Sequence, residues 1–128
     1  MGTIRSTDSN AGAPDLKVRL VSYAARILRL AKAIPKTPEG LHIIGQIARS
    51  RTSPAPNYAE AQDAESGADF IHKLKVVLKE LRETEVWLLI IVESKLLKKA
   101  AVQPLISETN ELIAIFVTSV KTARKKNR

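Results

Sequence analysis

The sequence has no cysteine. Disulfides, thiolate nucleophiles and Cys-ligated zinc are therefore excluded, and the composition suits a reducing, cytoplasmic setting. Aromatics are scarce, with one Trp, two Tyr and two Phe. A core must then be built from Leu, Ile, Val and Ala, and reading single strands by base stacking is not expected. The longest apolar run, Val86 to Val92, is seven residues. A membrane span needs about twenty. Met1 to Pro14 contains no apolar stretch of the kind that a secretory signal needs. No Gly-rich phosphate loop occurs. Ser53, Ser66 and Ser94 sit in no nucleophile elbow. These absences predict a protein that is not an enzyme and holds no cofactor.

What is present is charge and helical periodicity. The 128 residues carry a formal charge of +8. Residues 1–51 hold nine Lys/Arg against three Asp/Glu, residues 52–94 four against eight, and residues 95–128 eight against two. Two +6 segments thus flank a −4 middle. That asymmetry suits phosphate neutralisation. It equally suits an acidic stripe of one subunit meeting a basic stripe of the next.

Residues 66–97 read as one long amphipathic helix. Leu74, Val77, Leu81, Thr84, Leu88, Ile91 and Lys95 alternate at steps of three and four, the spacing of one helix side. Lys73, Lys79, Glu80, Arg82 and Glu83 occupy the other side. A first helix follows Pro14 and Asp15, with a seam at Leu16, Leu20, Tyr23, Ile27, Leu30 and Ile34. Thr37 and Pro38 suit the start of a second, whose buried side reads as Leu41, Ile44, Ile47 and Ala48. Gly40 and Gly45 weaken it or permit close approach. Pro54 and Pro56 kink it or end it, and the sequence leaves both open. A last helix begins at Val102, Gln103 and Pro104 and buries Leu105, Leu112, Phe116, Val120 and Ala123. The expected architecture is all-α, an antiparallel up-down four-helix bundle over 15–124. A disordered tail over 1–14 precedes it, and a basic tail over 125–128 follows. The all-round apolarity of Val86–Val92 predicts a second buried face, an oligomer contact.

The central third carries a family likeness in its literal sequence. It includes Ser53-Pro54-Ala55-Pro56-Asn57-Tyr58-Ala59-Glu60-Ala61 and Asp69-Phe70-Ile71-His72-Lys73-Leu74. Lys79-Glu80-Leu81-Arg82-Glu83-Thr84-Glu85-Val86-Trp87-Leu88 follows. This resembles the bacterial four-helix bundle proteins named for the intervening sequences of 23S ribosomal RNA genes. Their relatives include the accessory variability protein of diversity-generating retroelements. The resemblance implies a homo-oligomer, a pentamer, and as partners RNA or DNA and a reverse transcriptase or other nucleic-acid enzyme.

Two carboxylate-x-x-His pairs, Glu39/His42 and Asp69/His72, are similar to halves of di-metal bundle sites. The inward carboxylates that such a site also needs are missing from helix one, so exposed polar residues are the better reading. Ser53, Asn57, Glu60, Glu80, Glu83 and Thr84 read as a hydrogen-bonded set fixing helix register rather than as a binding site. Trp87 and Phe70 read as packing anchors. The functional candidates are basic: Arg26, Arg29, Lys32 and Lys36; Arg49 and Arg51; and Lys121, Arg124, Lys125, Lys126 and Arg128. Their two readings are phosphate binding and a merely solvated surface. The leading expectation is an oligomeric bundle that binds RNA or DNA electrostatically as an accessory protein. The alternative is a structural or protein–protein module with no nucleic-acid role.

Overall fold

The computed structural model describes residues 15–50 and 53–127, and the side chains of 48–50 are outside that description. The expectations placed on the 1–14 tail, on Arg51 and Arg128, and on the side chains of Ala48 and Arg49 lie outside the described residues. Five helices follow one another: α1 Leu16–Ala33, α2 Pro38–Ser50, α3 Pro54–Gln62, α4 Gly67–Glu93 and α5 Lys99–Lys126. Among the described residues there is no strand, and Val86–Val92 stays helical within α4.

Four of the five starts have a local cause. Asp15 caps α1, its carboxylate accepting from the amides of Lys17 and Val18. It is the cap itself rather than a residue of the first turn. Thr37 Oγ1 accepts from Gly40 N at 3.1 Å, and Pro38 follows it at the first helical position. Ser66 Oγ accepts from Asp69 N at 3.0 Å and opens α4. Pro54 and Pro56 do more than kink the second helix: Pro54 begins a separate helix, α3. Ser53, just before it, makes no side-chain cap.

The core is aliphatic. Leu20, Tyr23, Ile27, Leu30 and Ile34 of the first seam are buried, as are Leu74, Val77, Leu81, Thr84, Leu88 and Ile91 of α4. Val102, Leu105, Ile106, Thr109, Leu112, Phe116 and Val120 line the inside of α5. α4 packs on α2, α3 and α5, while α1 touches α3 and α5. α4 and α5 run in opposite directions. Gly67, at the start of α4, lies so close to Asn127 beyond the end of α5 that a Cβ would overlap Asn127 Oδ1.

Three expectations need correction. Lys95 is not on the α4 stripe: the helix ends at Glu93, and Lys95 has φ 61°. Leu96 N donates to Ile91 O and Lys95 N to Val92 O, the paired bonds of a left-handed helix end. α5 starts at Lys99, not at Val102. Leu41 is 52% exposed, and Ile43 is buried in its place. The reversal at Pro35 sets that phase. Gly40 tucks beneath it so closely that a Cβ would overlap the Pro35 carbonyl oxygen, which turns the 40–43–47 side inward. Gly45, by contrast, has open space around it.

Candidate functional site

The polar residues sort into three groups by what they touch. One lies inside. Tyr23 Oη is 2.6 Å from Thr109 Oγ1, and Thr84 is also a hydrogen-bond neighbour of the phenol. Thr109 donates to Leu105 O at 2.6 Å, and Thr84 donates to Glu80 O at 2.9 Å. The three hydroxyls and the carbonyls one turn back from each threonine thus form one connected hydrogen-bond group. Burial pushes the phenol up to about 12, against the opposing pull of its Thr109 bond. This node ties α1 to α4 and α5. Its residues face one another, leaving no polar atom aimed at a ligand.

The second group joins helices at the surface. Ser53 Oγ donates to Glu80 Oε2 at 2.9 Å, linking the start of α3 to α4. Glu60 pairs with Lys73 at 2.9 Å. Arg19 reaches Glu108 through Nε at 2.8 Å and through a terminal nitrogen at 2.7 Å, and the same nitrogen meets Glu111 at 2.7 Å. The two carboxylates, Glu108 foremost, hold the guanidinium firmly charged. Of the register set read from the sequence, the structure brings Ser53, Glu80 and Thr84 together. Glu60 pairs elsewhere, Glu83 points outward, and Asn57 is half-buried one turn into α3. The Arg19 fork escaped sequence reasoning, because its partners are 89 and 92 positions away.

The third group is the exposed cations. Arg29, Lys32 and Lys36 are exposed on and after α1, and Arg26 is half-buried. Lys121, Arg124, Lys125 and Lys126 are exposed at the end of α5. The two clusters do not come together. Arg19 meets Glu108, Tyr23 meets Thr109, and the start of α1 lies near Tyr58, whose ring sits 5.6 Å from that of Phe116. α1 thus runs opposite to α5, and its basic end lies roughly 35 Å along the axis from that of α5. Farther from the Gly67–Asn127 end of the fold than the α5 cluster lies a row on α4, of which the sequence reading placed Lys79 and Arg82 on the side away from the stripe and did not single out Lys75. Lys75, Lys79 and Arg82 are all exposed on the outward side of α4 and line a shallow groove with Leu78, Glu83 and Val86. From the Gly67–Asn127 meeting point, Lys75 is about 12 Å along α4 and Lys121 about 9 Å along α5. The spacing of 75, 79 and 82 was the available signal, masked by the net acidity of its segment. Ion pairs among the described residues engage Arg19 and Lys73, not these rows.

His42 packs edge-on against Trp87 with ring centroids 6.3 Å apart, and His72 is exposed on α4. Among the described residues no group of three or more His, Asp or Glu is placed to hold a metal. None of their helices is long and apolar enough to cross a membrane.

Helix order and the literal sequence of 53–88 both point one way, and the family model described as "23S rRNA-intervening sequence protein" matches residues 17–118. The chain belongs to this family. It is also similar to a crystal structure from Bacteroides thetaiotaomicron, a protein of unknown function from the S23 ribosomal protein family. The two are 31% identical with a TM-score of 0.77, over 83% of this chain and 98% of that one. No curated protein matches the chain. Within the 23S rRNA-intervening sequence family, the features to explain here are the cation rows and the outward apolar residues.

Proposed function

We propose that this chain is a non-enzymatic accessory protein whose copies assemble, and whose assembled surface binds RNA or DNA through its phosphates. The observation that carries the reading is that two exposed cation sets succeed one another from the same end of the fold: Lys121, Arg124, Lys125 and Lys126 within about 9 Å of that end on α5, and Lys75, Lys79 and Arg82 from about 12 Å onward on α4. With the pairings above going to other residues, their charge faces solvent. Successive copies would multiply a +8 subunit into a strong, sequence-indifferent field. The sparse aromatics favour backbone contact over base reading. The assembly is of antiparallel bundles in which α2 and α3 act as one broken rod, since both lie against α4. A pentamer in the cytoplasm, partnering a reverse transcriptase or another nucleic-acid enzyme, is the form that the family likeness favours.

Filter binding across a salt series tests this. Affinity should fall linearly on a log–log plot with a slope of roughly −4 or steeper on duplex, as four or more phosphates shed counterions. Replacing Lys79, Arg82, Arg124 and Lys125 by Glu should abolish binding. Absence of binding at low salt, or binding indifferent to salt, would refute it. A second reading, a protein-interaction module without nucleic acid, is favoured by one observation: Val18, Val21, Leu28, Val86, Leu89 and Ile90 are all exposed. Retention of assembly with no nucleic-acid binding at any salt concentration would select it.

A further inference from the structure

A trough between α4 and α5 gives the two helices a common landmark. Val86, Leu89 and Glu93 of α4 line it, and Lys99, Gln103 and Ile106 of α5 face them. Residues at steps of three and four keep to one side of a helix. Followed back along α4 from Glu93, those steps run through Leu89 and Val86 to Arg82, Lys79 and Lys75. Followed forward along α5 from Ile106, they run through Asn110, Ile113 and Val117 to Lys121 and Arg124. The cations of both helices therefore flank one seam, on the side where the trough opens. Glu83, the acid of the α4 groove, lies about 100° past Arg82 and turns away from that seam.

Along the axis the cations follow one another as a single track. From the Gly67–Asn127 end, Arg124, Lys121, Lys75, Lys79 and Arg82 lie at about 4, 9, 12, 18 and 22 Å. All of them are exposed. The track steps from α5 to α4, whose axes pack about 8–10 Å apart. Each strand of a duplex offers one phosphate per about 3.4 Å of axis, so about 18 Å of track matches about five phosphates of one strand. Beyond Arg82 the α4 line turns apolar at Val86 and Leu89 and acidic at Glu93, which ends it.

This side carries no ring. None of the aromatic residues of the chain is exposed. Tyr23 and Phe116 are buried, Tyr58 packs edge-on against Phe116, Trp87 meets His42, and Phe70 packs against the core. Proteins that hold single strands combine a basic groove with aromatic side chains on which bases stack. A duplex keeps its bases stacked on one another, and its backbone is held by phosphate contacts alone.

We propose that this side of α4 and α5 binds double-stranded nucleic acid along the backbone of one strand, in preference to single strands, with Arg124, Lys121, Lys75, Lys79 and Arg82 on successive phosphates. The inference rests on the nucleic-acid half of the proposed function and names its ligand class and its contacts. Every contact is cation to phosphate, so RNA and DNA duplexes bind alike.

Fluorescence anisotropy across a salt series tests it on the full chain. The probes are a short RNA duplex, the DNA duplex of the same sequence, and unstructured RNA and DNA single strands of the same length. Five contacts give log–log slopes of about −4.5 on duplex and about −3.5 on single strands, so the duplex advantage grows about tenfold for each tenfold dilution of salt. Lys79→Gln with Lys121→Gln should flatten the duplex slope by about 2. Lys95→Gln with Lys98→Gln removes the same charge from exposed positions between α4 and α5, at the opposite end of the fold, and should leave the slope unchanged. Circular dichroism checks that both variants keep their helices. Single strands bound as tightly as duplex, a tenfold or greater split between RNA and DNA duplexes, or equal flattening by the two variants overturns the track while leaving phosphate binding standing. No binding of any probe at low salt overturns the proposed function as well.

Discussion

The inner and outer sides of α4 are made of the same residue types and meet opposite fates. Leu88 is fully buried, and its neighbour Leu89 is 49% exposed. Ile91 is buried, and Ile90 lies at the surface. Hydrophobicity alone cannot separate them. The angle around the helix does, because among the described residues no helix closes over a side 100° or more from the seam. One side is finished by intramolecular packing. The other stays apolar where nothing in the fold requires it, which is why it reads as a surface for another molecule.

The comparison can be broken most severely from within. Leu88→Ala should cost about 2–5 kcal/mol in urea or thermal unfolding, the range for a leucine deleted from a closed core. Raising the pH should come next. The inner side carries the Tyr23 phenol, whose folded value near 12 exceeds its ordinary 10.0. The folded state therefore keeps the proton longer than the unfolded chain. Stability is intact below pH 10 and falls as pH climbs from 10 to 12. The loss should be on the order of 2 kcal/mol, read as an alkaline drop in melting temperature that Tyr23→Phe lacks. At the point where the stripe stops, Lys95→Gly should stabilise by about 0.5–1 kcal/mol, since glycine takes the left-handed conformation without penalty. Smallest of all, Leu89→Ser should stay within about 0.5 kcal/mol for the isolated subunit. A large loss there would mean that the outer side is already packed, and the contrast would collapse.

Much of the inner architecture was legible in the sequence. The seams of α1 and α4 follow from steps of three and four, and Thr84 fell in step with them despite its hydroxyl. The α2 seam yielded only in part: Ile47 is buried and Ile44 packs on the core, but Leu41 is exposed and Ile43 takes its place, because a backbone reversal at Pro35 rather than local periodicity fixes the phase. Lys95 kept the period but left the helix, and without glycine the left-handed end has no sequence signal. The Arg19 fork and the Tyr23–Thr109 bond join residues more than eighty positions apart, which one sequence cannot pair. The α4 cation row was hidden by averaging: a segment of net charge −4 conceals three outward cations, because Glu60, Asp63 and Glu65 come before α4 and only Glu83 shares their groove.

Ser53 gives its hydroxyl to Glu80 and not to its own first turn. α3 is nine residues long, and helices that short are marginal in water. It has no autonomous reason to coil, so its conformation is inherited from the finished surface of α4. Time order during folding follows from this dependence. α4 should gain amide protection before residues 54–62 in pulse-labelled exchange, and a peptide of α3 alone should be a random coil.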